Sequence, residues 1–150
     1  MNFKDLKIWQ LSHQLTLLIY KITLNFPKSE IFGITSQLRR SSSSIPANIA
    51  EGFGRKGKKE FIQYLYQAKG SLYETQNFII LSKDLKYINT SISEDILDKY
   101  ESKIKLPLDL AYISGGRKEV EVDSLPVDQA LMDIGNNTIL ILFNRYYSEC

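Results

Sequence analysis

The chain has 150 residues, 43% of them hydrophobic and 24% charged, and a net charge of +2; this suits one globular domain around a single core and excludes a mainly disordered chain. Its one cysteine, Cys150, can form neither an internal disulfide nor a thiolate zinc site, as expected of a protein in a reducing cytosol. The apolar stretches fall far short of the roughly 20 residues that span a bilayer, and the N-terminus enters a charged amphipathic segment at once. Neither a signal peptide nor a membrane helix is therefore expected, and the protein reads as cytoplasmic.

The first predicted element runs over 5–25, where Ile8, Leu11, Leu15, Leu18 and Ile22 recur in steps of three and four. Phe26-Pro27 ends it, because the residue before a proline is pushed out of helical angles. A second stripe follows through Ile31, Ile34, Leu38, Ile45 and Ile49, interrupted by Pro46. It reads as one kinked helix, with a break at Ser41 to Ser44 as the alternative; Gly52 and Gly54 supply the stop.

The third helix has the clearest pattern. Phe61, Leu65, Ala68, Leu72, Thr75, Ile79 and Ser82 alternate by three and four over more than five turns, the seam of helices packed nearly antiparallel. Asn89-Thr90-Ser91 reads as a turn, and Ser93 with Glu94-Asp95 as the start of a fourth helix. Its stripe is Leu97, Tyr100, Ile104, Leu108 and Ala111, with Pro107 expected to bend or shorten it. The pattern predicts an all-α fold, an antiparallel up-down four-helix bundle over 1–116. Gly115-Gly116 then marks an atypical C-terminal extension, 117–150, whose apolar run 139–143 fits a strand, a buried helix or an exposed segment.

Ingredients for catalysis are scarce. His13, the only histidine, reads as a surface or interface residue of the first helix rather than a general base. Glu51, Glu60 and Glu74 are explicable as solvated helix residues, so no catalytic residue, metal site or cofactor is expected. The run from Gly52 to Lys59 looks superficially like a phosphate loop, but no strand precedes it and no Gly-Lys-Ser/Thr closes it.

Charge is distributed unevenly along the chain. Residues 35–70 hold seven basic and two acidic side chains, whereas 90–130 hold five basic and nine acidic ones; the molecule should present a positive and a negative face. Arg55, Lys56, Lys58 and Lys59 cluster between the second and third helices, at an N-terminus where cations do not help the helix but an external anion is favoured. A nucleic-acid phosphate fits this corner, with Arg39 and Arg40 as possible additions and Tyr64 and Tyr66 as base-stacking candidates. Solvated lysines and tyrosines used in packing are the plainer account of the same residues.

These segments carry a resemblance. Phe3-Lys4-Asp5-Leu6-Lys7-Ile8-Trp9, Phe26-Pro27-Lys28-Ser29-Glu30, Gly33-Ile34-Thr35-Ser36-Gln37-Leu38-Arg39-Arg40 and the run from Ser44-Ile45-Pro46 to Arg55 are similar to the four-helix bundle proteins encoded within intervening sequences of 23S ribosomal RNA genes. So are Lys59-Glu60-Phe61, Leu65, Ala68, Gly70-Ser71-Leu72 and Glu74, and the resemblance covers about 2–88. It implies an antiparallel bundle that assembles as a homo-pentamer. The family's relatives include the accessory variability determinant proteins of diversity-generating retroelements, basic pentamers that bind nucleic acid and a reverse transcriptase. By that analogy the chain is expected to be a non-enzymatic bundle that binds RNA or DNA, or a scaffold docking a protein partner such as a reverse transcriptase.

In such an oligomer the small residues Ser41 to Ser44, Ala47 and Ala50 would let another helix approach. Ser44, Pro46, Asn48 and Glu51 are accordingly candidates for interhelix or intersubunit packing, or for hydrogen bonding around the proline. Arg39, Arg40 and Glu51 also fit an intersubunit ion-pair set. Pro107, the glycine pair and the extension depart from the regular charged fourth helix of that family.

Overall fold

A computed structural model describes residues 2–105 and Leu108; within them the chain forms four α-helices and no strand. They are α1 (Lys7–Ile22), α2 (Ile34–Phe53), α3 (Lys58–Asp84) and α4 (Thr90–Tyr100). A 3₁₀ turn, Phe3–Asp5, leads into α1 and is closed by a capping box. There the Asn2 side chain accepts from Lys4 N, and Asp5 accepts from Asn2 N at 2.8 Å.

The buried face of α1 is centred on Ile8, Ser12, Leu15, Thr16 and Ile19, while Leu11, Leu18 and Ile22 are only half-buried. The sequence stripe, which counted only apolar residues, is displaced because the core here accepts hydroxyls. Between α1 and α2, Phe26 is buried with its ring 5.6 Å from that of Tyr87. Glu30 reaches forward to accept from Ile34 N at 3.0 Å, satisfying one of the free amides that open α2. Gly33 is required for that bond, since a Cβ there would lie 2.3 Å from Glu30 Oε2.

Helix α2 continues through Ser41 to Ser44 and through Pro46, so the chain forms one helix at the proline rather than two elements. Pro46 has no N–H and leaves the carbonyl four residues earlier, that of Ser42, without its helical donor. The hydroxyl of Thr16 on α1 points at that carbonyl, 2.9 Å away, and shares its proton with Ser12 O, also at 2.9 Å. An interhelical bond thus replaces the intrahelical one.

The buried residues of α3 are Phe61, Leu65, Ala68, Leu72, Thr75, Ile79 and Ser82, the stripe expected from its spacing. This helix ends in a Schellman motif, with Tyr87 N on Ser82 O at 2.8 Å and Lys86 N on Lys83 O at 2.9 Å. The left-handed position falls on Lys86, φ 61°, where glycine is usual.

Helix α4 begins earlier than the sequence reading placed it. Asn89, not Ser93, is its N-cap and accepts from Ile92 N at 2.8 Å; Ser93 is buried inside the helix. Ile96 and Tyr100 face the core and Leu97 is only half-buried. A π turn, Glu101–Lys105, follows and buries Ile104, and Leu108 is buried beyond it. Pro107, Ala111, Gly115-Gly116 and 117–150 lie outside the described residues.

Each helix touches two others: α1 lies against α2 and α4, and α3 lies against α2 and α4. Contacts ascend one helix as they descend the next. Thr16 meets Ser42 and Thr23 meets Arg39; likewise Ser41 meets Thr75 while Gly52 meets Tyr64. The central layer combines Ile19, Leu38, Ile45, Ile49, Leu72, Ile79, Ile96 and Ile104, none more than 1% exposed. Each such side chain contributes about 1.5–3 kcal/mol on burial. Tyr100 sits in the same core, and burial pushes its phenol well above the ordinary value, so it stays neutral.

Candidate nucleic-acid interface

The corner between α2 and α3 is built by glycines. Gly54 closes α2, its N–H donating to Ala50 O at 3.2 Å and Glu51 O at 3.0 Å, and Gly57 opens α3 from an extended conformation. No side chain caps the first amides of α3 by a hydrogen bond. Inside the corner α2 and α3 approach closely, because a Cβ on Gly52 would lie 2.6 Å from Tyr64 Cβ.

Four basic residues sit on this turn in different environments. Lys56 and Lys59 are exposed and have no side-chain partner among the described residues, while Lys58 is half-buried and has one. Lys58 and Lys59 lie in the first turn of α3, where they work against the helix dipole. Glu60 shares that turn, and its carboxylate lies over the start of α3, 3.0 Å from where a Gly57 Cβ would be. An incoming anion would meet it there.

Arg55 is engaged within the chain. Its Nη2 donates to Glu51 Oε1 at 2.5 Å and to Tyr64 Oη at 2.7 Å, and the Tyr64 hydroxyl donates to the same Glu51 oxygen at 2.8 Å. The guanidinium also lies 5.2 Å from the Tyr64 ring centre. The Tyr64 hydroxyl, then the Arg55 guanidinium, hold the Glu51 carboxyl below the usual carboxylate range. The bond to Glu51 raises the Tyr64 phenol in turn.

The other sequence candidates lie elsewhere. Arg39 turns toward α1, with Nε on Thr23 Oγ1 at 2.7 Å and its guanidinium 4.9 Å from the Tyr20 ring centre. Arg40 bonds Gln37 and lies 3.7 Å from Glu74 of α3. Fifteen residues of helix, about 22 Å, separate Arg40 from Arg55. Tyr64 and Tyr66, two residues apart, take different flanks of α3. Tyr64 faces Arg55 of α2, whereas Tyr66 is exposed near Leu108.

The packing candidates bond locally. Asn48 Nδ2 donates to Ser44 O at 2.8 Å, Ser44 Oγ donates to Arg40 O at 2.9 Å, and Pro46 is buried. The sequence reading did not single out Thr16, the partner of the carbonyl freed by Pro46. Its signal is a hydroxyl residue inside an otherwise apolar helical face, opposite a helix that contains a proline. Among the described residues no group of three or more histidines, cysteines or carboxylates could hold a metal ion. No helix among them is long and apolar enough to cross a membrane.

A four-helix protein with hydroxyl-rich helix contacts and a basic corner between its second and third helices is what these elements define. The chain belongs to the 23S rRNA-intervening sequence protein family, whose model matches residues 4–107. Among solved structures it is similar to a protein of unknown function from the S23 ribosomal protein family of Bacteroides thetaiotaomicron. The two share 26% identity and superpose with a TM-score of 0.61 over 69% of this chain and 97% of that one. No functionally curated protein matches the sequence.

Proposed function

We propose that this protein is a non-enzymatic, cytoplasmic, oligomeric bundle that binds nucleic acid, RNA or DNA, at the basic corner between α2 and α3. The observation that carries the reading is the pair Lys56 and Lys59, exposed and without partners among the described residues, beside the uncapped amides of α3. Side-chain ammonium groups and free N–H groups at a helix start together favour phosphate. Lys58 adds charge on the same turn. Arg55 would join on release from Glu51, and Arg39 and Arg40 would extend the surface along α2. By family likeness the assembly is a homo-pentamer, which would repeat the corner around a ring and multiply weak phosphate contacts.

Fluorescence anisotropy with structured RNA and with duplex DNA, across a salt series, tests this. Affinity should fall steeply with salt, and Lys56→Glu with Lys59→Glu should flatten the log–log slope by about 1.4–1.8. Unchanged affinity and slope in that variant would remove the corner from the interface.

A second reading has its own observation. At the turn between α1 and α2, Phe32 is 91% exposed, with Leu24 at 75% and Ile31 at 56%. Such a patch suits a scaffold that docks a protein partner, for example a reverse transcriptase. Purification that retains a protein but no nucleic acid would favour it, and loss of that protein in Phe32→Ser would locate the contact.

A further inference from the structure

We infer that the bundle carries two different docking faces on opposite edges, and that each is covered by the other face of a second copy of this chain. The inference rests on the oligomeric reading above and names the surfaces that would make the assembly.

The first face is a groove of about 400 Å³ along the α1–α2 edge. Trp9, Leu17 and Tyr20 of α1 form one wall, and Ser43, Ala47 and Ala50 of α2 form a floor of small side chains. Leu17 is 57% exposed and Tyr20 45%, although both stand on a well-formed helix. The second face is a ridge on α3. Tyr66, Tyr73 and Ile80 are 44%, 48% and 44% exposed and lie seven residues apart, a spacing that keeps them on one line of the helix. The ridge lies on the α4 side: Tyr73 is 5.9 Å from Lys105 Nζ, and Gln76 bonds Glu101. Since α1 touches α2 and α4, and α3 touches the same two, the α1–α2 and α3–α4 edges are on opposite sides.

Three properties make these faces fit each other better than themselves. The ridge is bulky and the groove is lined with small residues, so ridge meets groove as in ordinary helix packing. Their lengths agree: Tyr66 to Ile80 spans about 21 Å of helix, and Trp9 to Tyr20 about 16 Å. Their charges also complement. Helices α1 and α2 carry Lys7, Lys21, Arg39 and Arg40 against Glu51 alone among acids, whereas α4 carries Glu94, Asp95 and Asp98 against Lys99. Among the described residues neither Lys7 and Lys21 nor Glu94 and Asp98 form ion pairs. Two unlike faces on opposite edges produce a head-to-tail contact that repeats, closing into a ring when the rotation allows.

Mixing two variants tests this. Leu17→Glu spoils the groove and leaves the ridge; Ile80→Glu spoils the ridge and leaves the groove. Native mass spectrometry should show wild type assembled beyond a dimer, each variant alone as a monomer, and an equimolar mixture as a 1:1 heterodimer. Self-association of either variant alone, or a mixture of monomeric variants that stays monomeric, would overturn the inference. Should either variant lose its helical circular dichroism, Ala47→Glu and Tyr73→Glu replace the pair with the same outcomes. Wild-type protein that binds RNA as a monomer would overturn these faces and leave the basic corner standing, whereas an assembled protein indifferent to nucleic acid would do the reverse.

Discussion

Replacing Thr16 with valine isolates how the bundle tolerates a proline inside α2. The change keeps the shape and the β-branch, so helix propensity and packing alter little. It removes the hydroxyl that reaches the Ser42 carbonyl at 2.9 Å across the α1–α2 contact. That carbonyl has lost its backbone donor to Pro46, and Ser42 is buried, so water does not replace the bond. Leaving a buried acceptor unpaired costs about 1–3 kcal/mol. For a domain of this size, about 2 kcal/mol lowers Tm by roughly 10 °C. The diagnostic step is to repeat the substitution in Pro46→Ala, where the backbone N–H that alanine restores can serve the Ser42 carbonyl. Thr16→Val should then cost no more than about 0.5 kcal/mol, the scale of an ordinary net hydrogen bond. Urea melts of the four proteins at one concentration give the coupling energy, expected to be about 1.5 kcal/mol. Equal costs of Thr16→Val in both backgrounds would refute the role assigned to Thr16.

Gly52→Ala should destabilise despite the better helix propensity of alanine, because the new Cβ falls 2.6 Å from Tyr64 Cβ and 2.8 Å from Phe61 Cδ2. Overpacking of this kind costs about 1–3 kcal/mol, so a higher urea midpoint in the variant would contradict the close α2–α3 contact. Tyr64→Phe removes the larger of the two bonds that depress the Glu51 carboxyl, and NMR titration should show Glu51 ionising at a higher pH in the variant. The linkage sign is that of a depressed acid: whatever Glu51 adds to stability is present above its unfolded pKa and is lost as pH falls through its folded one. An unchanged Glu51 titration would rule out the hydroxyl as the cause. Lys86→Gly should stabilise by about 0.5–1 kcal/mol, since it relieves a left-handed lysine in the Schellman turn that closes α3. A lower thermal midpoint would show that the Lys86 side chain has a compensating contact.

Periodicity made α3 legible in full: every residue of its three-four stripe is buried, including Thr75 and Ser82, because small hydroxyls fit a helix seam as readily as methyl groups. The same rule misplaced the face of α1, where Ser12 and Thr16 are buried while Leu11, Leu18 and Ile22 stand at its margin. In α4 the spacing favoured Leu97 and a start at Ser93. The nearer capping group, Asn89, set the helix earlier and turned Ile96 inward. Local hydrogen bonds at a helix start outweigh a weak stripe over so short an element.

The sequence by itself determined the four helices, the continuity of α2 through Pro46, the family and the crowding of basic residues between α2 and α3. All of these follow from local spacing, turn residues and contiguous motifs, which act over a few turns of chain. Tertiary structure decided which of those charges face outward. Glu51 and Tyr64, thirteen residues apart, converge on Arg55 and draw it into an ion pair, while Arg39 and Arg40 part toward α1 and α3. It also supplied the donor for the Ser42 carbonyl from another helix. No reading of one segment contains these facts, because a side chain's partner depends on which helices the core brings together, and that is fixed only when every apolar face is buried at once.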